Sequence, residues 1–341
     1  MRARGINYET GFLRGGRFSR AAFEPRIVAR ELQLIRDDLH CDAVRIIGGD
    51  PERLELAAAC AADLGLEIWF SPYPLESTVD EMLALFADCA ERAERIRRRG
   101  AEVVFVTGAE LSLMNPGFLP GATPEERVRS LTAGPDDLPE QVAEASARVN
   151  DFLGKAVPIV RERFAGRVTY ASIPLERVDW TPFDIVSVDL YRTAEVADRF
   201  GAGVRALVAQ GKPLAVTEFG AATFAGAGDV GARGLEIVEY DDTHGPIRLD
   251  GEYARDEPGQ AAYLRELLEI FDAEGVDSAF VFVLALYDHV HRPGGDPRDD
   301  LDLASYGIVK VLEGRRGDTY PDLPWEPKAA FSALADYYGN H

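Results

Sequence analysis

Short apolar runs alternate with amphipathic stretches along the chain. Arg4–Tyr8 reads as a first strand. Ile27, Val28, Leu32, Leu34 and Ile35 then recur at helical spacing across Pro25–Leu39. Ala43–Ile47 (AVRII) is a second strand, and Pro51 opens a helix through Leu64 with Asp50 placed to cap it. Glu67–Ser71 and Val103–Thr107 are the third and fourth strands, separated by a long helix, Val79–Arg99, that Gly100 closes. A helix over Leu138–Phe164, which Pro158 kinks or divides, leads to further strands at Val168–Ser172, Ile185–Leu190 and Leu214–Glu218. A helix near Ala197–Gln210 precedes the last of these. Helix Pro258–Glu274, an eighth strand Ser278–Leu286 and a closing helix Pro327–Tyr338 complete the pattern.

Runs such as VVFVT and FVFVLAL are apolar on both faces, as parallel strands covered by helices require. Eight of them, most followed by a helix, predict the α/β class and a single (β/α)8 TIM barrel catalytic domain over residues 1–341. The weakest connection joins strands five and six, where SIPLERVDWTPF predicts mostly loop. The rival is an open doubly wound sheet, but no Gly-rich dinucleotide fingerprint follows any strand. Three loops after strand C-termini are long: Leu111–Asp137, Phe219–Glu257 and Tyr287–Tyr306. In a barrel such loops wall the active face.

Composition sharpens this picture in three ways. The 341 residues allow two ordinary domains or one enlarged barrel, and the strand count selects the barrel. Lys and Arg number 37 against 58 Asp and Glu, so 37 − 58 = −21. That field repels nucleic acid and anionic membrane and narrows a ligand to a neutral or cationic one. No run of 18 apolar residues occurs and MRARGINYETGF lacks a secretory apolar core. The expectation is a soluble cytoplasmic protein, or a secreted one if a leader has been removed. Cys41, Cys60 and Cys89 have neither disulfide nor zinc spacing and read as small buried hydrophobes. No cofactor and no metal are expected.

Two strands lead into a glutamate. Val103–Thr107 runs through Gly108 and Ala109 to Glu110, and Leu214–Thr217 runs directly into Glu218. Carboxylates at strand C-terminal ends open on the barrel mouth. A pair flanking one bond suits glycoside hydrolysis, one acid protonating the leaving oxygen while the other attacks or activates water. Arg45 interrupts an apolar strand, where a buried cation needs a carboxylate: Glu218, held ionised by it, or an internal barrel salt bridge. Tyr191 closes IVSVDLY and either donates to Glu218 or packs on the rim. Asp189, two positions earlier, points to the same side and is set to pair with Arg45 or Arg192.

The chain resembles the clan of (β/α)8 glycoside hydrolases that includes cellulases, mannanases and β-glycosidases. The resemblance rests on AVRIIG, VVFVTGAELS, IVSVDLY and PLAVTEFG in that order, from GINYETG near the start to FVFVLALYDH at strand eight. It implies a retaining double displacement on a neutral carbohydrate or glycoside, with Glu110 as acid/base, Glu218 as nucleophile, and Arg45 and Tyr191 supporting the nucleophile. Two departures stand out. The clan's Asn before the acid/base is Ala109 here, and its strand-eight Trp is absent, leaving Tyr287 as the nearest aromatic. They motivate an alternative, a carbohydrate-binding barrel whose catalysis is altered or lost; biosynthetic acid/base chemistry on the same scaffold is a further possibility.

Trp69 and Tyr73 in EIWFSPYP are candidate sugar-stacking rings, Trp69 equally a core residue; Asn7, Tyr8 and Glu9 are placed to line the cleft floor. Trp180 and Trp325 read as packing anchors. After strand eight come Asp288, His289, His291, Asp296, Asp299, Asp300 and Asp302. They read either as a metal site for assisted hydrolysis or as a solvated acidic loop from which His289 touches substrate. His40, His244 and His341 offer no complementary spacing. No P-loop or Gly-x-Ser-x-Gly elbow occurs.

Overall fold

The computed structural model describes residues 1–131, 138–241 and 243–340. Its central sheet has eight parallel strands: β1 (Ala3–Glu9), β2 (Ala43–Gly48), β3 (Glu67–Pro72), β4 (Val103–Ala109), β5 (Arg167–Ala171), β6 (Val186–Asp189), β7 (Leu214–Phe219) and β8 (Ser278–Val281). Sequence neighbours pair from β1 to β5 and from β6 to β8, and β8 pairs with β1. The seam between β5 and β6 closes through a Ser172–Val188 bridge and a 2.7 Å hydrogen bond between the Thr169 and Ser187 hydroxyls. The result is a (β/α)8 barrel.

Alternation along the strands explains its two cores. On β2, Val44 and Ile46 face outward under the helices, while Ala43 and Ile47 face the barrel axis. Trp69, Val104, Ile185, Ala215 and Phe280 fill the same interior. The covering helices are α1 (Pro25–Asp37), α2 (Pro51–Asp63), α3 (Val79–Arg98), α4 (Leu138–Arg161), α5 (Phe200–Val208), α6 (Glu257–Glu274) and α7 (Ala329–Gly339). Asp50 caps α2 by accepting from the Glu52 and Arg53 amides, and Thr78 with Glu81 forms a capping box on α3. Pro158 sits inside α4 without dividing it. Cys41 and Cys89 are buried and Cys60 half-buried, all with free thiols.

The β5–β6 connection is mostly loop, as its sequence predicts, with one short turn of 3-10 helix, Pro174–Glu176, and no α-helix among its described residues. Two differences from the sequence pattern matter. Strand β8 stops at Val281, and Leu284–Leu286 turn into the following loop as buried packing. Trp325–Pro327, expected as the approach to the closing helix, instead joins Val290–His291 and Val309–Leu312 in a small three-stranded sheet. The other long loops carry short helices, Leu111–Met114 and Pro124–Ser130, and an antiparallel ladder of Val238–Tyr240 with Pro246–Leu249. The last residues of the loop predicted to end at Asp137, and His341, lie outside the described residues.

Candidate active site

Both strands that end in a glutamate are bulged just before it. On β7, Val188 of β6 faces Val216 while its successor Asp189 faces Glu218, leaving Thr217 as an extra residue; β8 meets the same irregularity. Ala215 faces the interior, so strict alternation would send Glu218 outward. The bulge turns it in. On β4 the register slips between Val106 and Ala109, at Gly108 with φ +82°. Glu110 follows with φ +46°, in the left-handed region that costs a non-glycine residue on the order of 1–2 kcal/mol.

The backbone after Glu110 is held from behind. Its amide donates to the Ala171 carbonyl, the Leu111 amide to the Tyr170 hydroxyl at 2.9 Å, and the Ser112 amide to Glu176 at 3.0 Å. Tyr170 also donates to Glu176 at 2.8 Å. Glu176 thus comes from the connection that looked least structured in sequence, and no local pattern announced it.

At the mouth Glu110, Asp189 and Glu218 converge, with one oxygen of each lying within 4.8 Å of the others. Two unit charges this far apart repel by about 3 kcal/mol at an effective dielectric near 20. Arg45, fully buried, is the cation that answers them. Its Nη1 donates to Glu218 at 2.7 Å, to Asn7 Oδ1 at 3.2 Å and to the Thr217 carbonyl at 3.1 Å, and its Nε donates to Ser71 at 3.2 Å. The Tyr191 hydroxyl donates to the other oxygen of Glu218 at 3.2 Å.

Burial raises the pKa of all three carboxyls, to different degrees. For Glu110 burial comes first, then the charges of Asp189 and Glu218, and its pKa stands well above the ordinary carboxyl value. Asp189 is likewise pushed well up by burial and by Glu218. For Glu218 the rise from burial is opposed by Arg45 and Tyr191. Burial works against charge on Arg45, but Glu218 and Asp189 outweigh it and hold the guanidinium protonated. Glu110 and Asp189 are therefore favoured to keep their protons, and Glu218 is the acid of the three most favoured to lose its own.

Comparison with solved structures speaks to the fold. A GH113 β-1,4-mannanase shares 17% identity over 100% of this chain and 99% of its own, with a TM-score of 0.62. The endo-1,4-β-D-mannanase of Thermotoga petrophila RKU-1 shares 11% identity, with 100% of each chain covered and a TM-score of 0.54. The β-glucuronidase of Parabacteroides merdae shares 11% identity over 99% of this chain and 36% of its own, with a TM-score of 0.55. The chain has the fold of the glycoside hydrolase barrels. No protein-family model matches it, and no curated protein does.

Within this glycoside hydrolase fold the remaining candidates separate. Tyr73 belongs at the centre: its ring meets Phe12 edge-on at 5.2 Å, and its hydroxyl, pushed upward chiefly by burial, lies in the field of Glu110, Glu218 and Asp189. His289 is buried with Nδ1 2.8 Å from Asp288 and Nε2 without a partner. Three residues take other positions. Asn7 is fully buried and spends its amide on the Thr217, Phe280 and Val281 carbonyls, so it orients Arg45. Trp69 lies inside the barrel, 4.7 Å from Phe280 and bonded to Glu67 at the strand's start, without a face for a sugar. Tyr287 donates to buried Glu31 and lies under the Arg20 guanidinium at 4.0 Å, part of a packing hub.

The half-buried aromatic at the end of β8 is instead Phe282, whose ring is 5.9 Å from Tyr306; Tyr306 in turn is 5.9 Å from Tyr191. Two of the acids after β8 are paired elsewhere: Asp300 with Arg255 and the His291 imidazole, Asp302 with Arg255 and Lys328. Arg192, a possible partner of Asp189, pairs with Glu266. Among the described residues the group whose geometry suits an ion is the central trio itself, not the post-β8 loop. A groove of about 950 Å³ beside the mouth, lined by Arg17, Arg20, Tyr287 and Asp288, contains none of the trio. The perturbed acids, not the volume, mark the chemistry. No described helix is long and apolar enough to cross a membrane.

Proposed function

We propose that the chain is a glycoside hydrolase of retaining mechanism, with Glu218 as nucleophile and Glu110 as acid/base. The supporting observation is that Arg45 and Tyr191 both bind Glu218 while Glu110 makes no capping bond and is raised further. As the glycosidic C–O bond breaks, Glu110 gives its proton to the leaving oxygen and a Glu218 oxygen bonds to the anomeric carbon. Water then gives a proton to Glu110, attacks that carbon and frees Glu218. An oxygen separation within 4.8 Å favours retention over inversion, which needs about 6.5–9.5 Å to admit water between the acids. A fold shared with mannanases and β-glucuronidases adds support without naming the sugar.

The test is a panel of aryl glycosides followed by proton NMR of the first-formed product. Hydrolysis with the anomeric configuration kept is expected. Inverted product would overturn the nucleophile role of Glu218; binding without turnover would favour a carbohydrate-binding barrel, the reading that Ala109 motivates.

A further inference from the structure

Resting on the hydrolase reading, we infer that the substrate is an amino sugar whose ammonium group is received by Asp189. Three carboxyls share the centre, Asp189 and Glu218 buried and Glu110 half-buried, and a single guanidinium answers them. In the proposed mechanism Glu110 carries a proton and Glu218 is paired with Arg45. Asp189 is then the acid without an assigned counterpart. It is 3% exposed, both its oxygens lack a well-formed hydrogen bond, and no cation lies within salt-bridge distance among the described residues.

A second group points the same way. The Tyr73 hydroxyl, on a side chain 5% exposed, makes no hydrogen bond to a described residue and faces the same three acids. Burial and the Glu218 charge favour the protonated form of Asp189 in the free chain. A sugar hydroxyl would fill its lone pairs without changing that, whereas an ammonium brings three N–H donors and a positive charge that stabilises the ionised carboxylate. The surplus of acids over the whole chain also draws a cationic substrate toward the mouth. A uronic acid is the substituent such a centre rejects.

The experiment compares nitrophenyl glycosides carrying a 2-amino or 6-amino group with the corresponding neutral and N-acetylated glycosides. The wild-type chain and Asp189→Asn are assayed side by side. Wild type is expected to favour one amino glycoside by at least about tenfold in kcat/KM, N-acetylation should erase that preference, and Asp189→Asn should lower the amino-to-neutral ratio by a similar factor. Inhibition of the wild type by glucosamine against glucose gives a readout that needs no variant, and glucosamine should bind more tightly. Preference for neutral glycosides, or an unchanged ratio in Asp189→Asn, overturns the inference while leaving the hydrolase intact. Activity that requires added calcium or magnesium also overturns it, because an ion then takes the ammonium's place. Turnover of no glycoside defeats the hydrolase reading itself and this one with it.

Discussion

Two buried Arg–Glu pairs sit in this barrel, and they are built differently. Arg20–Glu31 joins the loop after β1 to α1 at 2.8 Å. Each oxygen of Glu31 has two donors: Tyr8 and Arg20 on one, Trp325 and Tyr287 on the other. Arg45–Glu218 is as close, at 2.7 Å, yet Glu218 takes one donor per oxygen from side chains and shares its space with two more carboxyls. Each guanidinium leaves one nitrogen without a partner, Nε of Arg20 and Nη2 of Arg45, so the difference lies in the carboxylates. A buried pair whose carboxylate is saturated gives the fold specificity, whereas one whose carboxylate is crowded and less fully bonded is expensive to keep and is a mark of chemistry.

The contrast is sharpest when one carboxylate of each pair becomes an amide. Glu218→Gln should lower glycosidase kcat by about 10⁴-fold or more, as losing a nucleophile does. Its stability should change by less than about 2 kcal/mol, because Asp189 remains to ionise and balance Arg45 and one repulsion disappears. Glu31→Gln should reverse the pattern, costing about 3–5 kcal/mol in urea denaturation with kcat nearly intact in the chain that stays folded. Equal stability losses in the two variants would break the distinction.

Glu110→Gln should have the next largest effect. A general acid contributes about 10²–10⁴-fold, so glycosides with poor leaving groups should slow by that much and activated nitrophenyl glycosides by less. In the wild type, activity should rise as Glu218 loses its proton and fall as pH passes the elevated pKa of Glu110. Glu110→Gln should remove the alkaline fall and keep the acid rise. A profile that keeps its alkaline limb would assign that limb to another group.

Much of this was legible in the chain and the remainder was hidden for physical reasons. Short apolar runs located all eight strands, and the glutamates at the ends of two of them marked the mouth. Local periodicity cannot show a bulge, however, and without the one at Thr217 Glu218 would face the helices. Asp189 shares the parity of Tyr191, so its inward aim was readable, but its isolation from Arg192 depended on Glu266 far along the chain. Trp69 and Tyr287 looked like sugar platforms because an aromatic near a strand end reads the same whether it faces a cleft or a buried acid. Glu176, which steadies the turn after Glu110, lies in a segment with no pattern at all.

Glu9 supplies the smallest and most discriminating test, since it lies beside Arg20 yet has an oxygen, Oε2, with no partner. Burial raises its pKa from 4.5 to about 7, with hydrogen bonding to Ser19 opposing the rise and the Asp288 charge adding to it. The folded chain therefore keeps a proton on Glu9 that the unfolded chain releases near pH 4.5. Between these values the folded state binds more protons, so this contribution to stability is full at low pH and is lost as pH rises toward 7. The loss is at most about 3 kcal/mol. Glu9→Gln should match wild type near pH 4.5 and exceed it progressively to pH 8 in urea titrations, with the Phe12 amide still able to donate to the amide oxygen. Parallel curves for the two proteins would mean that one unpaired oxygen beside a saturated pair carries no cost, and that donor count alone does not separate the hub around Glu31 from the centre around Glu218.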